Sequence, residues 1–386
     1  MEGKTMKDNT SQQNTGGDRE VAGILDLTDN RGIIRVGGYL PGPGDVNVAA
    51  RFVRENGLRR GDYLVGTARP ALRAEQLDPL TALTSVNGLA PKTPRPHFGD
   101  LTPIYPNQRL RLETEPHELT TRVTDLVMPI GKGQRALIVA PPKAGKTSVL
   151  QAISHGIAKN HPECEMLLVL VGERPEEVTD LARAVPADIA AATFDAAPRT
   201  QIAVAELAIE RAKRLVEQGR DIVVLLDSLT RLARAYNLAT PPSGRVLAGG
   251  VDSAALAPPK KFLGAARNIE GGGSLTIIAS TLVETGSTAD TLVFEEYKGT
   301  GNADLKLDRT SANRRVFPAV DIAQSSTRHD ELLLTAPELA ATRLLRHTLA
   351  GLDGQRGLDM LLDGLRQSRT NAEFLGKMTQ ASSSAR

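Results

Sequence analysis

The chain has 386 residues and a formal net charge of +2, so it is long enough for two domains, and any nucleic-acid affinity must come from local patches. Its single cysteine, Cys164, excludes internal disulfides and cysteine-cluster metal sites, and we interpret it as a buried apolar residue. No apolar segment is long enough to span a bilayer and no charged-then-apolar leader opens the chain, so we predict a soluble, cytoplasmic protein without a membrane partner.

Residues 1–20 are polar and rich in Gln, Asn, Thr, Gly and Lys, which predicts a disordered tail. Residues 21–90 consist of short apolar runs separated by turns. Strands are predicted over residues 21–27, 32–36, 46–50 and 62–68, with a helical turn over 51–57 and connections over 29–32 and 40–45. This pattern favours a small β-barrel of the oligonucleotide-binding (OB) or cold-shock type. A barrel of this size serves equally as a protein-docking module, so the pattern leaves both functions open.

Residues 91–120 are predicted to be a connector between two domains. Three prolines fall within residues 91–96, with basic residues between them, which makes this segment stiff. Further prolines up to residue 118 predict that the segment packs between the domains without regular structure.

Residues 121–380 alternate between apolar strands and long helices, and residues 381–386 are predicted to be a tail. Strands are predicted over residues 135–139, 166–171, 191–194, 222–226 and 275–280, and helices over 176–184 and 201–218. Continuous apolar strands alternating with helices indicate an α/β domain whose parallel sheet is covered on both faces.

Residues 140–147 read APPKAGKT and lie between a predicted strand and a predicted helix. This order is what a phosphate-binding loop (P-loop) requires, because loop N–H groups and the helix N-terminus then face an anion. Lys146 would reach the terminal phosphates of ATP, and the Thr147 hydroxyl would bind Mg²⁺. Ala140 replaces the usual first Gly, and the alternative is a chance strand–helix turn. The predicted phosphate-binding residues are Lys143, Ala144, Gly145, Lys146, Thr147 and Ser148.

Two carboxylates follow apolar strands. Asp227 ends the run at residues 222–226 and is predicted to hold Mg²⁺, although an Asp before a helix can also be a cap. Glu173 follows the run at residues 167–171 and is predicted to be the general base, whereas Glu176 and Glu177 suit the first turn of a helix. Arg328 is a candidate arginine finger from a neighbouring subunit, although by spacing alone it is one arginine among several.

The chain carries the segments PPKAGKT (141–147), ERPEE (173–177), LDS (226–228), TRLARAYN (230–237), GAARN (264–268), GGGSLTIIA (271–279), KGTGN (298–302) and RVFPA (315–319). Together these segments resemble the family of the bacterial transcription termination factor Rho. The resemblance runs from about Val21 to the C-terminus and is specific to Rho beyond the P-loop.

The resemblance implies a RecA-like P-loop ATPase that forms a homohexamer, moves 5′ to 3′ along single-stranded RNA and acts on RNA polymerase elongation complexes. It implies that Glu173 is the catalytic base, with Arg174 beside it at the nucleotide, and that Asp227 is the second acid. It also implies that Phe317 packs on the adenine and that Arg328 is the finger.

The resemblance also implies two RNA-binding surfaces. Residues 243–250 and 285–290 match the two central-pore loops of the family, with contact residues Arg245, Val246, Leu247, Gly286, Ser287 and Thr288. The base-stacking segment of the barrel lacks the family's aromatic residues, and Asn47 replaces another aromatic residue. We expect Arg31 and Arg35 to compensate in part, by stacking on bases or by contacting phosphates.

Two further departures lead to alternatives. Thr288 stands where the family commonly has Lys, and Gly172 stands where it usually has Asp, in the pocket that the antibiotic bicyclomycin occupies. We therefore hypothesise a specialised or bicyclomycin-tolerant member. The alternatives are a hexameric RNA-binding decoy subunit that translocates poorly and a rotary-ATPase-like catalytic subunit. The complete set of hydrolytic residues disfavours the decoy, and the barrel with its paired pore loops disfavours the rotary subunit.

Overall fold

A computed structural model describes residues 17–28, 31–73 and 75–384. Its contacts divide the chain into two compact units, Met1–Thr93 and Pro94–Arg386, with the division inside the proline-rich residues 91–96. Most of the tail predicted for residues 1–20 lies outside the described residues. Arg19 and Glu20 already belong to the first strand, two residues before the predicted start.

The smaller unit is a closed barrel. Its elements are β1 (Arg19–Thr28), β2 (Arg31–Arg35), β3 (Val46–Val48), α1 (Ala50–Glu55), β4 (Tyr63–Ala68) and β5 (Asp78–Val86). The strands close in the order β1-β2-β3-β5-β4 around a core that includes Leu25, Ile34 and Leu64, which confirms the predicted barrel. We did not predict β5, because its sequence DPLTALTSV contains a proline and alternates weakly. The predicted strand at residues 46–50 ends early because α1 begins at Ala50.

Arg35 is part of a buried ion-pair network that holds the barrel strands together. Its side chain is 12% exposed, and its two terminal nitrogens donate hydrogen bonds of 2.8 Å to Asp26 and 2.8 Å to Asp45. Arg60 pairs with the other oxygen of Asp26 at 3.1 Å. A buried guanidinium with both terminal nitrogens paired to carboxylates is a structural group, so the structure does not support the predicted contact of Arg35 with RNA.

The larger unit contains a nine-stranded mixed sheet and a separate two-stranded sheet made of its second and third strands. Its strands are β6 (Pro103–Ile104), β7 (Arg109–Leu110), β8 (Ile130–Gly131), β9 (Arg135–Ala140), β10 (Cys164–Glu173), β11 (Asp188–Thr193), β12 (Asp221–Asp227), β13 (Arg267–Ile269), β14 (Ser274–Leu282), β15 (Ala303–Lys306) and β16 (Ser326–Thr327). Its helices are α2 (Leu119–Val127), α3 (Lys146–Asn160), α4 (Pro175–Ala184), α5 (Pro198–Val216), α6 (Leu229–Ala239), α7 (Ala257–Gly264), α8 (Thr288–Lys298), α9 (Arg309–Asn313), α10 (Ala336–Ala350), α11 (Gly354–Arg366) and α12 (Asn371–Ser384). Short 3₁₀ turns span Phe98–Asp100, Ala248–Gly250, Ser253–Ala255 and Asp330–Leu332.

The main strands run in the order β11-β10-β12-β14-β9-β15-β16, and they are parallel from β11 to β15. β10 and β12 are buried along almost their whole length, as expected for a parallel sheet covered on both faces. This arrangement confirms the predicted α/β P-loop fold. Cys164 is buried in the core at the start of β10, as interpreted from the sequence.

Two parts of the larger unit differ from the predictions. In the proline-rich connector, Ile104 of β6 pairs with Asn268 of β13, and β7 pairs with β8, so regular structure does occur between the prolines. At the other end, α12 continues to Ser384, through most of the predicted tail, and residues 385–386 lie outside the described residues. Within the described ranges, no helix is both long and apolar enough to cross a membrane.

Candidate active site

The P-loop joins the end of β9 to the start of α3. Gly145 has a φ of 92°, a left-handed conformation that side-chain-bearing residues rarely adopt, and α3 begins directly after it at Lys146. Lys143 and Ser148 are exposed, Thr147 is half-buried and Ala144 is buried. The predicted phosphate-binding residues therefore form one continuous loop and first helical turn.

Phe317 lies at the rim of this loop. A Cβ atom placed on Gly145 would be 3.5 Å from the Phe317 ring. Phe317 is 44% exposed, so part of this residue is accessible to a ligand. Packing of Phe317 on adenine stays a prediction with a suitable geometry.

Below the loop, Lys146 at the start of α3 meets two carboxylates that end adjacent strands. Lys146 Nζ lies 3.3 Å from Glu173 Oε1 and also donates a hydrogen bond to Asp227 Oδ1. Glu173 and Asp227 are 0% and 1% exposed. They meet because β10 and β12 are neighbouring parallel strands, whose carboxyl ends lie at the same edge of the sheet.

Glu173 is held in an environment that disfavours its charge. Burial raises the pKa of Glu173 to about 7, and the negative charge of Asp227 adds to this effect, whereas Lys146 and Arg231 oppose it. Arg231 Nη2 lies 3.0 Å from Glu173 Oε2, and its other terminal nitrogen donates a hydrogen bond to the carbonyl of Gly172. The carboxylate is thus oriented from two sides, and its pKa suits proton transfer near neutral pH.

Asp227 has one oxygen available for a metal ion. Its Oδ1 accepts hydrogen bonds from Lys146 and from Ser280 Oγ, the latter at 2.8 Å. Its Oδ2 is buried, and no described residue forms a hydrogen bond with it. No group of three His, Cys, Asp or Glu residues suited to a metal ion occurs among the described residues. Mg²⁺ needs few protein carboxylates, because it keeps several waters and is shared with phosphates. The binding of Mg²⁺ by Asp227 and Thr147 stays a prediction.

Arg328 lies far from the P-loop of its own chain. It directly follows β16, where Thr327 pairs with Ala303, and Ala303 pairs with Ala136 near the start of β9. The P-loop follows the other end of β9, about 13 Å further along the strand. Because of this separation, a role of Arg328 at a nucleotide would require another subunit, to which its exposed side chain is accessible. That role stays a prediction.

The structure shows one predicted site residue in an exposed position and two contact residues that the sequence did not predict. The Arg174 side chain is 66% exposed and points towards Glu177 at 3.9 Å. Arg231 and Ser280, which contact the two acids, were not predicted. Arg231 lies within the segment TRLARAYN, which carried the resemblance without a role for this residue, and no sequence signal distinguishes Ser280.

The two predicted RNA-contact loops lie against each other. We call residues 243–250 loop A and residues 285–290 loop B. A Cβ atom on Gly249 of loop A would be 2.4 Å from the backbone nitrogen of Ala289, so only a glycine allows this contact. Arg245 and Val246 of loop A and Gly286 and Thr288 of loop B are exposed, whereas Leu247 and Ser287 are half-buried. In the barrel, Arg31 and Asn47 are exposed.

Comparisons with known proteins show which families the two units resemble. Residues 21–92 match the family model of the Rho termination factor RNA-binding domain, and residues 120–327 match that of the nucleotide-binding domain of the ATP synthase alpha/beta family. The transcription termination factor Rho of Streptosporangium roseum is 55% identical over 360 residues, which are 93% of this chain and 92% of that protein. The chain belongs to the Rho family. Its fold class and barrel agree with this membership.

Two longer Rho proteins are also similar. Rho of Mycobacterium tuberculosis (strain H37Rv) is 61% identical over 368 residues, which cover 93% of this chain and 61% of that protein. Rho of Streptomyces lividans is 60% identical over 360 residues, which cover 92% of this chain and 51% of that protein. The chain therefore spans about half to three fifths of the length of these two Rho relatives.

Solved structures outside the Rho family share the fold. An ATPase from the type III secretion system of pathogenic bacteria superimposes with a TM-score of 0.61 at 21% identity, covering 78% of this chain and 94% of that chain. The ATP synthase subunit NeqB from Nanoarcheaum equitans gives a TM-score of 0.57 at 17% identity, covering 68% of this chain and 67% of that chain. This chain thus shares its fold with these two proteins.

Proposed function

We propose that this protein is an RNA-dependent ATPase that translocates along single-stranded RNA in the 5′-to-3′ direction and terminates transcription. The observation that carries the proposal is the meeting of Lys146, Glu173 and Asp227 beneath a P-loop, in a chain whose other unit matches the Rho RNA-binding domain. We further propose that it acts in the cytoplasm as a homohexamer on RNA polymerase elongation complexes. Arg328 would then complete the site of the neighbouring subunit.

The residues of the site divide the chemistry between them. When bound, ATP supplies the γ-phosphoryl group, and Mg²⁺ neutralises part of the phosphate charge. Glu173 accepts a proton from the attacking water, and Lys146 and the loop N–H groups bind the phosphates. Asp227 and Thr147 would hold the metal ion, and Phe317 would cover the adenine. Burial of the two acids keeps bulk water away from this step.

The proposed function is tested by ATP hydrolysis with and without poly(C). Strong stimulation by poly(C) supports an RNA-dependent translocase. RNA-indifferent hydrolysis would instead indicate a rotary-ATPase-like subunit, and RNA binding without hydrolysis would indicate a decoy subunit; either result contradicts the proposal.

The same assay with bicyclomycin tests the proposed tolerance to this inhibitor. Gly172 has a φ of 65° at a bulge in β10, and Arg231 packs across it. A glycine at this position provides no carboxylate for a ligand, so we propose weaker inhibition than in family members that have Asp. Inhibition as strong as in those members contradicts the tolerance and leaves the ATPase function intact.

We expect kcat/KM for ATP hydrolysis to rise with pH, with a midpoint near 7. The reason is that Glu173 must be ionised to accept a proton, and its raised pKa leaves it largely protonated below that midpoint. Steady-state rates between about pH 5.5 and 8.5 at constant ionic strength measure this limb. A rate that is flat across this range would show that the ionisation of Glu173 does not control hydrolysis.

Arg31 is expected to contribute to RNA binding by the barrel. Arg31 is exposed, so Arg31→Ala should weaken poly(C) binding by about tenfold and reduce the salt dependence by about one phosphate contact. Arg69→Ala is a matched control, because Arg69 lies at the opposite end of β1, about 30 Å along the strand. Binding can be measured by fluorescence anisotropy at several salt concentrations. An equal loss in both variants would indicate a general charge effect.

A further inference from the structure

Arg328, the proposed arginine finger, is anchored through the backbone on the side that precedes it. Its backbone nitrogen donates a hydrogen bond of 2.9 Å to the carbonyl of Asn302. Asn302 is 9% exposed, and its side-chain oxygen accepts a hydrogen bond of 2.8 Å from the backbone nitrogen of Arg135. One residue before the finger, the Thr327 hydroxyl donates to the carbonyl of Pro129 at 2.7 Å. The chain that leads into Arg328 is therefore fixed to the start of β9.

On its other side, Arg328 is followed by a residue in a left-handed backbone conformation. His329 has a φ of 58° and a ψ of 41°. This conformation costs free energy for a residue with a side chain, and it persists only where other contacts hold it. The His329 carbonyl accepts a hydrogen bond of 3.1 Å from the Leu332 backbone nitrogen, which fixes the chain beyond it in a 3₁₀ turn. Relaxation of His329 to a negative φ would therefore turn the peptide that joins it to Arg328.

The imidazole ring of His329 packs on an aromatic ring from the connector. The centroids of the His329 and Tyr105 rings are 4.6 Å apart, and their planes are inclined by 54°. This distance lies within the range of about 4.5–7 Å at which aromatic rings attract each other. Tyr105 directly follows β6, and its carbonyl accepts a hydrogen bond of 3.5 Å from the side chain of Asn268 in β13. The ring of His329 thus packs on a residue that the mixed sheet holds in place.

A carboxylate binds the same imidazole ring. His329 Nδ1 lies 2.9 Å from Glu331 Oε1. This hydrogen bond lowers the pKa of Glu331, so Glu331 is ionised at neutral pH and can only accept, which makes His329 Nδ1 the donor. One packing contact and one hydrogen bond therefore hold the ring. We call Tyr105, His329 and Glu331 the His329 cluster.

We propose that the His329 cluster positions Arg328 for its role at the nucleotide of the neighbouring subunit, with Tyr105 and His329 as positioning residues. This proposal rests on the proposed function, in which Arg328 completes that site. The cluster keeps His329 in the left-handed conformation, and this conformation fixes the peptide on the unanchored side of Arg328. Without the cluster, this peptide turns and displaces the base of the Arg328 side chain.

The proposal predicts an effect on the chemical step and not on nucleotide binding. An arginine finger stabilises charge that develops in the transition state, so a displaced finger lowers kcat. KM changes little when the lost interaction is made only in the transition state. A displacement of about 1 Å can cost about 100-fold in rate.

The decisive experiment measures kcat and KM for ATP hydrolysis with poly(C) in the parent, Arg328→Ala, His329→Ala and His329→Asn. We expect His329→Ala to lower kcat by about 10- to 100-fold and to leave KM within about twofold of the parent value. Arg328→Ala should lose more than His329→Ala. His329→Asn should keep most of the rate, because Asn adopts the left-handed conformation more readily than Ala and its amide can donate to Glu331.

Two variants of Tyr105 test the packing contact. Tyr105→Ala should lower kcat by about 2- to 12-fold, the contribution of an aromatic pair, whereas Tyr105→Phe keeps the ring and should match the parent. Tyr105 is 64% exposed and the His329 side chain is 49% exposed, so we expect these variants to fold. His347→Ala is the matched control, because His347 is exposed in the last turn of α10 and outside the cluster. Its kcat should equal that of the parent.

The double variant Arg328→Ala/His329→Ala separates positioning of the finger from a general structural role. If His329 acts through Arg328, the double variant should hydrolyse ATP at the rate of Arg328→Ala alone. Multiplied losses in the double variant, or a parental kcat in His329→Ala, would overturn the proposal. Thermal unfolding and light scattering show whether each variant folds and assembles as the parent does. If His329→Ala does not, Tyr105→Ala and its double variant with Arg328→Ala decide by the same criteria.

The same measurements distinguish failure of this proposal from failure of the proposed function. A parental rate in Arg328→Ala would overturn the proposal together with the finger role of Arg328. A parent that poly(C) fails to stimulate would contradict the proposed function itself. A large loss in Arg328→Ala with parental rates in His329→Ala and Tyr105→Ala would overturn only the role of the His329 cluster.

Discussion

Glu173→Gln is expected to lower the rate of RNA-stimulated ATP hydrolysis by about 10²- to 10⁴-fold, the usual contribution of a positioned general base. Glutamine keeps the size and position of the side chain and cannot accept the proton of the attacking water. Single-turnover hydrolysis measures the loss, and a fluorescent ATP analogue measures binding, which we expect to be retained.

The same substitution is expected to leave the fold intact. The folded-state pKa of Glu173 is about 7, compared with an ordinary value of 4.5, so the ionised carboxylate lowers stability progressively as the pH rises from about 4.5 to about 7. A neutral glutamine removes this cost, and thermal unfolding at pH 8 should show no loss of stability.

Glu176→Gln is the control for the charge change, because Glu176 is exposed in the first turn of α4. We expect this variant to hydrolyse ATP at the parent rate. Hydrolysis by Glu173→Gln at the parent rate would remove the central residue of the proposed mechanism.

Arg122→Met is expected to lower the free energy of unfolding of the larger unit by about 3–5 kcal/mol, as when one partner of a buried charged network is removed. The Arg122 side chain is 0% exposed. Its Nη1 donates hydrogen bonds of 2.8 Å to the Leu365 carbonyl and 2.9 Å to the Ser368 carbonyl, and its Nε donates one of 3.2 Å to Asn371. These contacts connect α2 to the last two helices, and methionine would leave the buried acceptors unpaired.

Denaturant unfolding followed by far-UV circular dichroism measures this effect. Arg356→Met is the control, because Arg356 lies on α11 with its side chain 82% exposed, and its ion pair with Asp353 is on the surface. We expect the control to change stability by less than about 0.5 kcal/mol. Equal unfolding free energies for Arg122→Met and the parent would show that the C-terminal helices are held by other contacts.

Several features of the site could be predicted from the sequence because they depend on local pattern. The order of apolar run, glycine-containing loop, Lys146 and helix specifies a P-loop within about 20 residues. Glu173 and Asp227 were predicted to lie together because each ends an apolar strand, and parallel strands place their carboxyl ends at one edge. The structure brings both acids to Lys146.

Other features could not be predicted because they depend on which segments become neighbours. Arg31 and Arg35 have similar sequence surroundings, yet only Arg35 is closed in by carboxylates of β1 and of the segment before β3. β5 is recognisable as a strand mainly through its place in the barrel, between β3 and β4.

The amino-acid sequence by itself determined the two units, the P-loop and the two acids, because short-range patterns of apolar and polar residues encode helices, strands and tight loops. Only the tertiary structure decided that Arg231 holds Glu173, that Arg234 holds loop B, and that Arg328 lies at the opposite edge of the sheet. The physical reason is strand order: β10, β12 and β14 are adjacent although long segments separate them in sequence, and the ion pairs form where their ends meet.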